Sequence, residues 1–381
     1  MATIEVSSSE ETSELENPKL KKTELGEFSL AEARRIVGEY FKPNPWIYWP
    51  DFLLSMGVGI FFFGLVHNPE LITANAGWHW PVRIVGFLVS SLLYYRAVLF
   101  IHELVHIRDG EFTKFRIVWN LLCGIPFLMP SFLYYTHLDH HRRKHYGTDE
   151  DGEYMPLASQ SIWHILFYFS QVLIIPVLAV LRFGILTPLS WLSPKLRTLI
   201  HRRASSMVMD PTYIRPLPTP RVLRIIRLQE VLCFLWIAFM TFRFNGSLGL
   251  MSNEPLPITL LLQAYLTGVL IIGVNAVRTL GAHRWMNDGT EMNFVEQLLD
   301  SVNYPNNPAI GALWAPVGLR WHALHHIFPT MPYHALAKAH SRLSAELPAD
   351  SPYHKCSAES LPDEIRTLWR RAKEASAARA G

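Results

Sequence analysis

Mostly apolar stretches alternate with polar segments along the chain. Four of these stretches are candidates for helices that cross a bilayer: residues 52–66, 82–101, 228–242 and 258–277. About 20 apolar residues in a helix cross the hydrocarbon core of a membrane, which is ~30 Å thick. We therefore predict an all-α membrane protein with four transmembrane helices, arranged as two hairpins.

Two further apolar stretches contain residues that interrupt helices. Residues 117–135 include Pro126 and Pro130, and residues 162–186 include Pro176. Proline lacks a backbone donor and disrupts the interior of a helix. These two stretches are therefore candidates for re-entrant or interfacial helices.

The distribution of basic residues predicts the orientation of the helices. Residues 182–227 contain nine Lys and Arg residues against a single acid, Asp210. Short loops rich in Lys and Arg stay in the cytoplasm. The linkers at 67–80 and after Arg243 carry no Lys or Arg and are predicted on the far side, so both chain termini are cytoplasmic.

Composition supports the membrane class. The 381-residue chain is 50% hydrophobic, and 18% of its residues are charged, against about 25% in soluble domains. No signal peptide is apparent in the acidic N-terminal segment. Cys123, Cys233 and Cys356 are scattered and form no disulfide framework, which favours a reducing compartment for most of the chain.

Polar segments flank the apolar region at both ends. Residues 1–45 are predicted to combine a disordered acidic tail with a short surface helix, which Ser29 and Glu32 open as a capping box. Residues 46–352 form the predicted membrane domain. Residues 353–381 are predicted to form a cytoplasmic C-terminal helix.

Histidines carry the candidate chemistry, and the first pair lies at the end of the second predicted span. His102 and His106 are four residues apart on one helix face and form an HExxH motif with Glu103. In metalloproteases this motif binds zinc, and the glutamate is the general base. Taken alone, the pair fits a zinc hydrolase, another metal site or coincidence.

Two HxxHH motifs add six candidate ligands: His137, His140, His141, His322, His325 and His326. A catalytic zinc takes three protein ligands, so eight imidazoles fit two metal ions with open positions. Imidazole binds Fe, Zn, Cu and Ni, so the ligand type does not select the metal. His283, just after the last span, is a ninth candidate.

A single site would require all of these histidines on one side of the membrane. Residues 117–135 lie between the first two motifs, and residues 162–186 precede His283. Neither stretch can then be a simple crossing, and their prolines are compatible with a non-crossing path. The alternative is six crossings with independent histidine clusters.

The other histidines are interpreted as bystanders. His145 follows the second motif and is assigned a solvated or substrate-facing position. His67 and His79 are predicted on the far side of the membrane. The rest are interpreted as surface or packing residues: His164, His201, His334, His340 and His354.

Carboxylates near the motifs are candidate hydrogen-bond partners of the ligand rings. They are Asp109, Asp139, Asp149, Glu150, Asp151, Glu153 and Asp300. Residues 149–153 fit a solvated acidic loop equally well.

The motifs HELVH, HLDHH and HALHH resemble, in this order, the histidine boxes of the membrane fatty acid desaturase family. About 30 residues separate the first two boxes, and about 180 separate the second and third. The segments YGTDEDGEY and APVGLRWHALHHIFPTMPYHAL also resemble bacterial members. The resemblance covers residues 50–352.

The resemblance implies a cytoplasmic non-haem di-iron centre held by the eight box histidines and His283. It implies O2-dependent desaturation of a lipid-linked or thioester-linked acyl chain in the bacterial inner membrane. Lipid hydroxylases and ketolases share the boxes and are the alternative. Acyl-CoA relatives carry an Asn four residues before the histidine that corresponds to His283. Thr279 occupies this position here, so Thr279 and the nearby Asn275 are candidate outer partners of the metal site. Glu103 of the first motif is a further candidate.

The partners follow from the same resemblance. The chain lacks the HPGG motif of a fused cytochrome b5, so the electron donor should be a separate ferredoxin- or cytochrome-type protein with its reductase. Membrane lipids are expected partners and nucleic acid is not. An intramembrane zinc protease using Glu103 and a metal transporter or sensor are the rivals from other classes. A transporter would carry ionisable residues within its spans, and here they are few.

Overall fold

The computed structural model describes residues 27–108, 110–244 and 258–380. These ranges form an all-helical fold in which β-type pairing is limited to isolated bridges, and the predicted all-α class is confirmed. The acidic tail up to residue 26, the candidate Asp109 and most of the linker after Arg243 lie outside the described residues.

Short 3-10 and π-helical turns connect the α-helices of these ranges. The α-helices are α1 (Leu30–Ile36), α2 (Pro45–Leu65), α3 (His79–His106), α4 (Thr113–Trp119), α5 (His137–His140), α6 (Ile162–Leu181), α7 (Thr187–Ser190), α8 (Pro194–Arg203), α9 (Pro220–Phe244), α10 (Ile258–Ala282), α11 (Phe294–Asp300), α12 (Pro308–Trp314), α13 (His322–Ile327), α14 (Tyr333–Glu346) and α15 (Leu361–Ala380).

Five helical stretches are long and apolar enough to cross a membrane: Pro45–Leu65, Ala76–His106, Ile162–Ser190, Pro220–Arg243 and Ile258–Ala282. Four of them contain or overlap the predicted spans. α2 begins earlier than expected because the Asn44 side chain accepts a 3.0 Å hydrogen bond from the Trp46 N–H and so caps the helix. α3 continues to His106, so the first histidine pair lies on its last turns.

The fifth stretch, which includes α6, raises the number of candidate spans above the four predicted. Pro176 lies inside α6 without ending it. In the turn that the proline weakens, the Tyr265 hydroxyl of α10 donates to the Leu173 carbonyl at 3.0 Å. Neighbouring groups of this kind allow proline within apolar helices. By length and composition α6 therefore qualifies as a span, and its assignment as non-crossing stays a prediction.

The stretch between the first two histidine motifs turns back on itself. Arg116, at its start, donates to a carbonyl near the end of α3 at 2.9 Å. The Ser131 N–H donates to Asn120 Oδ1 at 2.9 Å and joins the two limbs. At its end, the His137 ring lies 4.7 Å from the His102 ring of α3. The stretch therefore begins and ends at the same end of α3, as the predicted non-crossing path requires.

Helices outside the candidate spans form a cap around the histidines. α1 packs on α14 and buries Ala33 and Ile36. α15, which corresponds to the predicted C-terminal helix, buries Leu368 and Ala372 against α6 and α10. The predicted division at residues 45 and 352 stays a prediction.

Candidate metal centre

All nine candidate ligands converge on one place at the end of α3. They form two groups, and within each group the candidate ligand atoms lie within 4.8 Å of one another. The five-histidine group contains His102, His106, His137, His141 and His325. The four-histidine group contains His140, His283, His322 and His326.

The HxxHH spacing divides each motif between the two groups. In the second motif, the i and i+4 residues His137 and His141 belong to the five-histidine group, and His140 belongs to the other. In the third motif the arrangement is exchanged: the i and i+4 residues belong to the four-histidine group, and His325 crosses over. Rings four residues apart on a helix lie on one face, whereas the i+3 ring is displaced around the axis. The two motifs therefore interlock.

Different elements hold the remaining ligands. α3 supplies His102 and His106, whose ring centroids lie 5.2 Å apart. His283 follows the end of α10, where it pairs with Ser301 in an isolated antiparallel bridge. This bridge fixes the backbone at a point where the helix has ended.

The nitrogen separations fit metal coordination. The Nε2 atoms of His137 and His141 are 3.0 Å apart, and those of His283 and His322 are 2.8 Å apart. Two nitrogens bound to one metal at ~2.1 Å in adjacent positions lie roughly 3 Å apart. Both nitrogens of His102 are buried without a hydrogen-bond partner among the described residues, and a metal ion would satisfy such a donor set. Each group therefore fits one ion.

Carboxylates on the outer side of the site hold several of the ligand rings. Asp151 bonds His140 Nδ1 at 2.8 Å, and Glu153 bonds His137 Nδ1 at 2.9 Å. A partner on Nδ1 fixes the ring orientation and directs Nε2 towards the metal. The acidic segment after the second motif is thus part of the site and not only a solvated loop, although Asp149 and Glu150 are exposed.

His283 has a different kind of support. The Tyr146 hydroxyl lies 2.8 Å from His283 Nδ1 and donates to Asp300 Oδ2 at 2.7 Å. The Asp300 carboxylate is 3.5 Å from the same ring nitrogen. Asp300 was a predicted partner, whereas Tyr146 was not. The one signal for Tyr146 is that it opens the YGTDEDGEY segment.

Burial favours the neutral form of five candidate ligands outside the spans. It holds their pKa values well below the ordinary value for histidine, and the charges of neighbouring rings lower these pKa values further. The five are His137, His141, His322, His325 and His326. Metal ligation requires neutral imidazole. Burial also works to lower the pKa of His140, but the Asp151 carboxylate outweighs it and raises that pKa.

Two predicted outer partners contact other groups. Glu103 accepts hydrogen bonds from the Tyr48 hydroxyl and, at 3.2 Å, from the Tyr333 N–H. Its carboxylate therefore contacts α2 and α14, and it belongs to neither histidine group. Asp139 pairs with Arg142 at 2.8 Å, because position i+2 of an HxxHH motif lies on a different helix face from its histidines.

Asn275 and Thr279 do not contact a ligand ring either. Both accept hydrogen bonds from Arg278, at 3.2 Å and 2.9 Å. His145 lies outside both groups, with Nε2 3.2 Å from Glu150, as expected for a bystander.

Comparison with known proteins addresses the family directly. The fatty acid desaturase model matches residues 78–357. The chain belongs to the fatty acid desaturase family. A ceramide hydroxylase from Caulobacter vibrioides is 37% identical over 347 residues, which are 91% of this chain and 94% of the relative. No solved structure matches the chain.

Membership of the desaturase family agrees with the resemblance of the histidine boxes and makes the chain a membrane enzyme. It counts against the zinc protease and the metal transporter. The HExxH pair is not a separate site, because both of its histidines lie in the five-histidine group.

Proposed function

We propose that this protein is a di-iron membrane hydroxylase whose substrate is a ceramide-type sphingolipid. The observation that carries the proposal is the 37% identity, over 91% of this chain, to a ceramide hydroxylase. From the histidine boxes alone, acyl desaturation is the leading expectation and hydroxylation is its alternative. The relative favours the alternative.

The proposed reaction inserts oxygen into an unactivated C–H bond. Two irons bound by the histidines would supply O2 activation and removal of the hydrogen. The overall change consumes the lipid, O2, two electrons and two protons, and it yields an alcohol and water. Electrons would come from a separate ferredoxin- or cytochrome-type protein with its reductase, on the cytoplasmic side.

The residues of the chain hold and orient the parts of this reaction. The nine histidines supply the ligands for two ions. Asp151, Glu153 and Asp300 fix the orientation of three of those rings. The apolar helices α3 and α10, which carry ligands at or just beyond their ends, would guide the lipid to the metals and exclude water, which limits wasteful side reactions.

Desaturation remains the second candidate because the family model is that of fatty acid desaturases. Both reactions remove one hydrogen first. A second removal from the adjacent carbon gives a double bond, whereas transfer of oxygen to the carbon gives an alcohol.

Lipid analysis separates the two reactions. The protein is expressed in a host that lacks desaturases, supplied with ceramide, and its lipids are profiled by mass spectrometry. We expect ceramide with one added oxygen and iron close to two ions per purified chain. Loss of two hydrogens without added oxygen would favour desaturation, and a single zinc per chain would refute the di-iron proposal.

A further inference from the structure

A buried arginine lies inside the last candidate span, close to the metal centre. Arg278 belongs to α10 and is 7% exposed. Charged side chains within membrane spans are costly and mark functional positions by default. Arg182, the other buried arginine within a candidate span, is neutralised by an ion pair with Glu230.

Arg278 forms no ion pair of this kind in the part of the chain that the structure describes, and the Glu153 carboxylate is the acidic group that interacts with it electrostatically. Its guanidinium donates to Asn275 Oδ1 at 3.2 Å and to Thr279 Oγ1 at 2.9 Å. Both acceptors are neutral. The Arg278 patch, defined as Arg278 with Asn275 and Thr279, is therefore a polar site with a cationic donor inside an apolar helix.

The patch lies beside the candidate metal ligands. Arg278 precedes His283 by five residues, which is about 7.5 Å along a helix axis. It is also close enough to interact electrostatically with the His102 and His322 rings, one from each histidine group.

The chemistry of the patch selects the kind of lipid. Reaction at the middle of a simple acyl chain needs apolar walls on both sides of the reacting carbon, and a guanidinium there would only cost free energy. A ceramide carries an amide carbonyl and hydroxyl oxygens within a few bonds of several methylenes. A guanidinium offers five N–H donors to such oxygens, and a hydrogen bond from a charged donor in a dry site is strong.

We propose that Arg278 binds an oxygen of the ceramide polar region and thereby places a carbon near that region at the metal centre. This inference rests on the proposed function and deepens it. Arg278 acts as a positioning and specificity residue, and the reacting carbon lies within a few bonds of the polar oxygens.

The test compares Arg278→Gln and Arg278→Lys with the unmodified enzyme. Arg224→Gln, an exposed arginine of α9, is the control. Loss of a hydrogen bond to a charged group predicts a roughly 10- to 100-fold weaker equilibrium binding of a fluorescent ceramide to Arg278→Gln, with unchanged iron content. Lysine keeps the charge but not the planar fork, so it should restore part of the binding. The control should bind normally.

Two ceramide analogues identify the oxygen. One is a thioamide, whose sulfur accepts hydrogen bonds weakly, and the other lacks the terminal hydroxyl. The analogue that removes the Arg278 partner should bind the unmodified enzyme weakly and lose little more in Arg278→Gln.

Unchanged ceramide binding in Arg278→Gln would overturn the inference. It would also be overturned if the substitution weakened the binding of both analogues as much as it weakens the binding of ceramide, because neither analogue would then lack the partner of Arg278. A fall in iron content and thermal stability with normal ceramide affinity would also overturn it, since Arg278 would then be structural. If the unmodified enzyme neither binds nor modifies ceramide, the proposed function itself fails, before any variant is compared.

Discussion

The two histidine groups are built in different ways. The five-histidine group takes two ligands from the rigid end of α3. Glu153 holds its His137 ring, but the Nδ1 atoms of His102, His141 and His325 have no hydrogen-bond partner among the described residues. In the four-histidine group, His140 and His283 come from a one-turn helix and from a residue beyond a helix end. Their rings are held by Asp151, Asp300 and Tyr146, whereas His322 Nδ1 of this group has no hydrogen-bond partner among the described residues.

This difference teaches that a ligand can be positioned by its backbone or by its hydrogen bonds. The long packed α3 restricts His102 without an outer partner, whereas His140 on a one-turn helix and His283 beyond a helix end both have such partners. The four-histidine group should therefore be the more sensitive to changes outside the ligands. With four histidines instead of five, it should also lose its ion more readily when one ligand is removed.

The largest expected effect comes from removing a ligand. His140→Ala leaves three histidines in its group, so we expect loss of product formation and iron falling towards one ion per chain, measured by elemental analysis of purified protein. His325→Ala, which leaves four, should also abolish product but retain more iron. His145→Ala is the matched control and should behave normally. Full activity in His140→Ala would contradict the assignment.

The next effect should come from the carboxylate behind His140. Asp151→Asn removes the charge that orients this ring, and we expect a 10- to 100-fold loss in metal affinity, measured by competition with a chelator. Asp139→Asn is the control, because Asp139 pairs with Arg142 instead of a ligand. Equal affinities in the two variants would mean that the carboxylate does not support the ring.

A smaller effect is expected from the tyrosine behind His283. Tyr146→Phe removes one hydroxyl but leaves Asp300 beside the ring, so metal affinity should fall by about 10-fold or less. The same chelator competition measures it. Asp300→Asn should cost more, and the reverse order would indicate that the hydroxyl is the main support.

The smallest effect on activity should come from Glu103→Gln. Glu103 accepts hydrogen bonds from Tyr48 and Tyr333 and lies outside both groups, so product formation should stay within a few-fold of normal. A buried hydrogen-bond mismatch should lower stability by about 1–3 kcal/mol, measured by thermal unfolding in detergent. Complete loss of activity with normal stability would revive a role for this residue in the chemistry.

Much of the candidate site could be predicted from local spacing. Residues four apart on a helix share a face whatever surrounds them, so the motifs alone indicated paired ligands. All nine histidines are identifiable from the sequence, and the family resemblance strengthens the assignment of His283. The carboxylates were less predictable, because position within a loop does not determine whether a side chain turns inward, as Asp151 does, or outward, as Asp149 does.

The sequence by itself determined which segments are apolar enough for helices in a membrane and which rings share a helix face. Only the tertiary structure decided how the rings divide into two groups. His140 meets His283 across 143 residues of chain, and His141 meets His325 across 184. Such pairings depend on the packing of α3, α5, α10 and α13 around one point, where several distant segments must fit together at once.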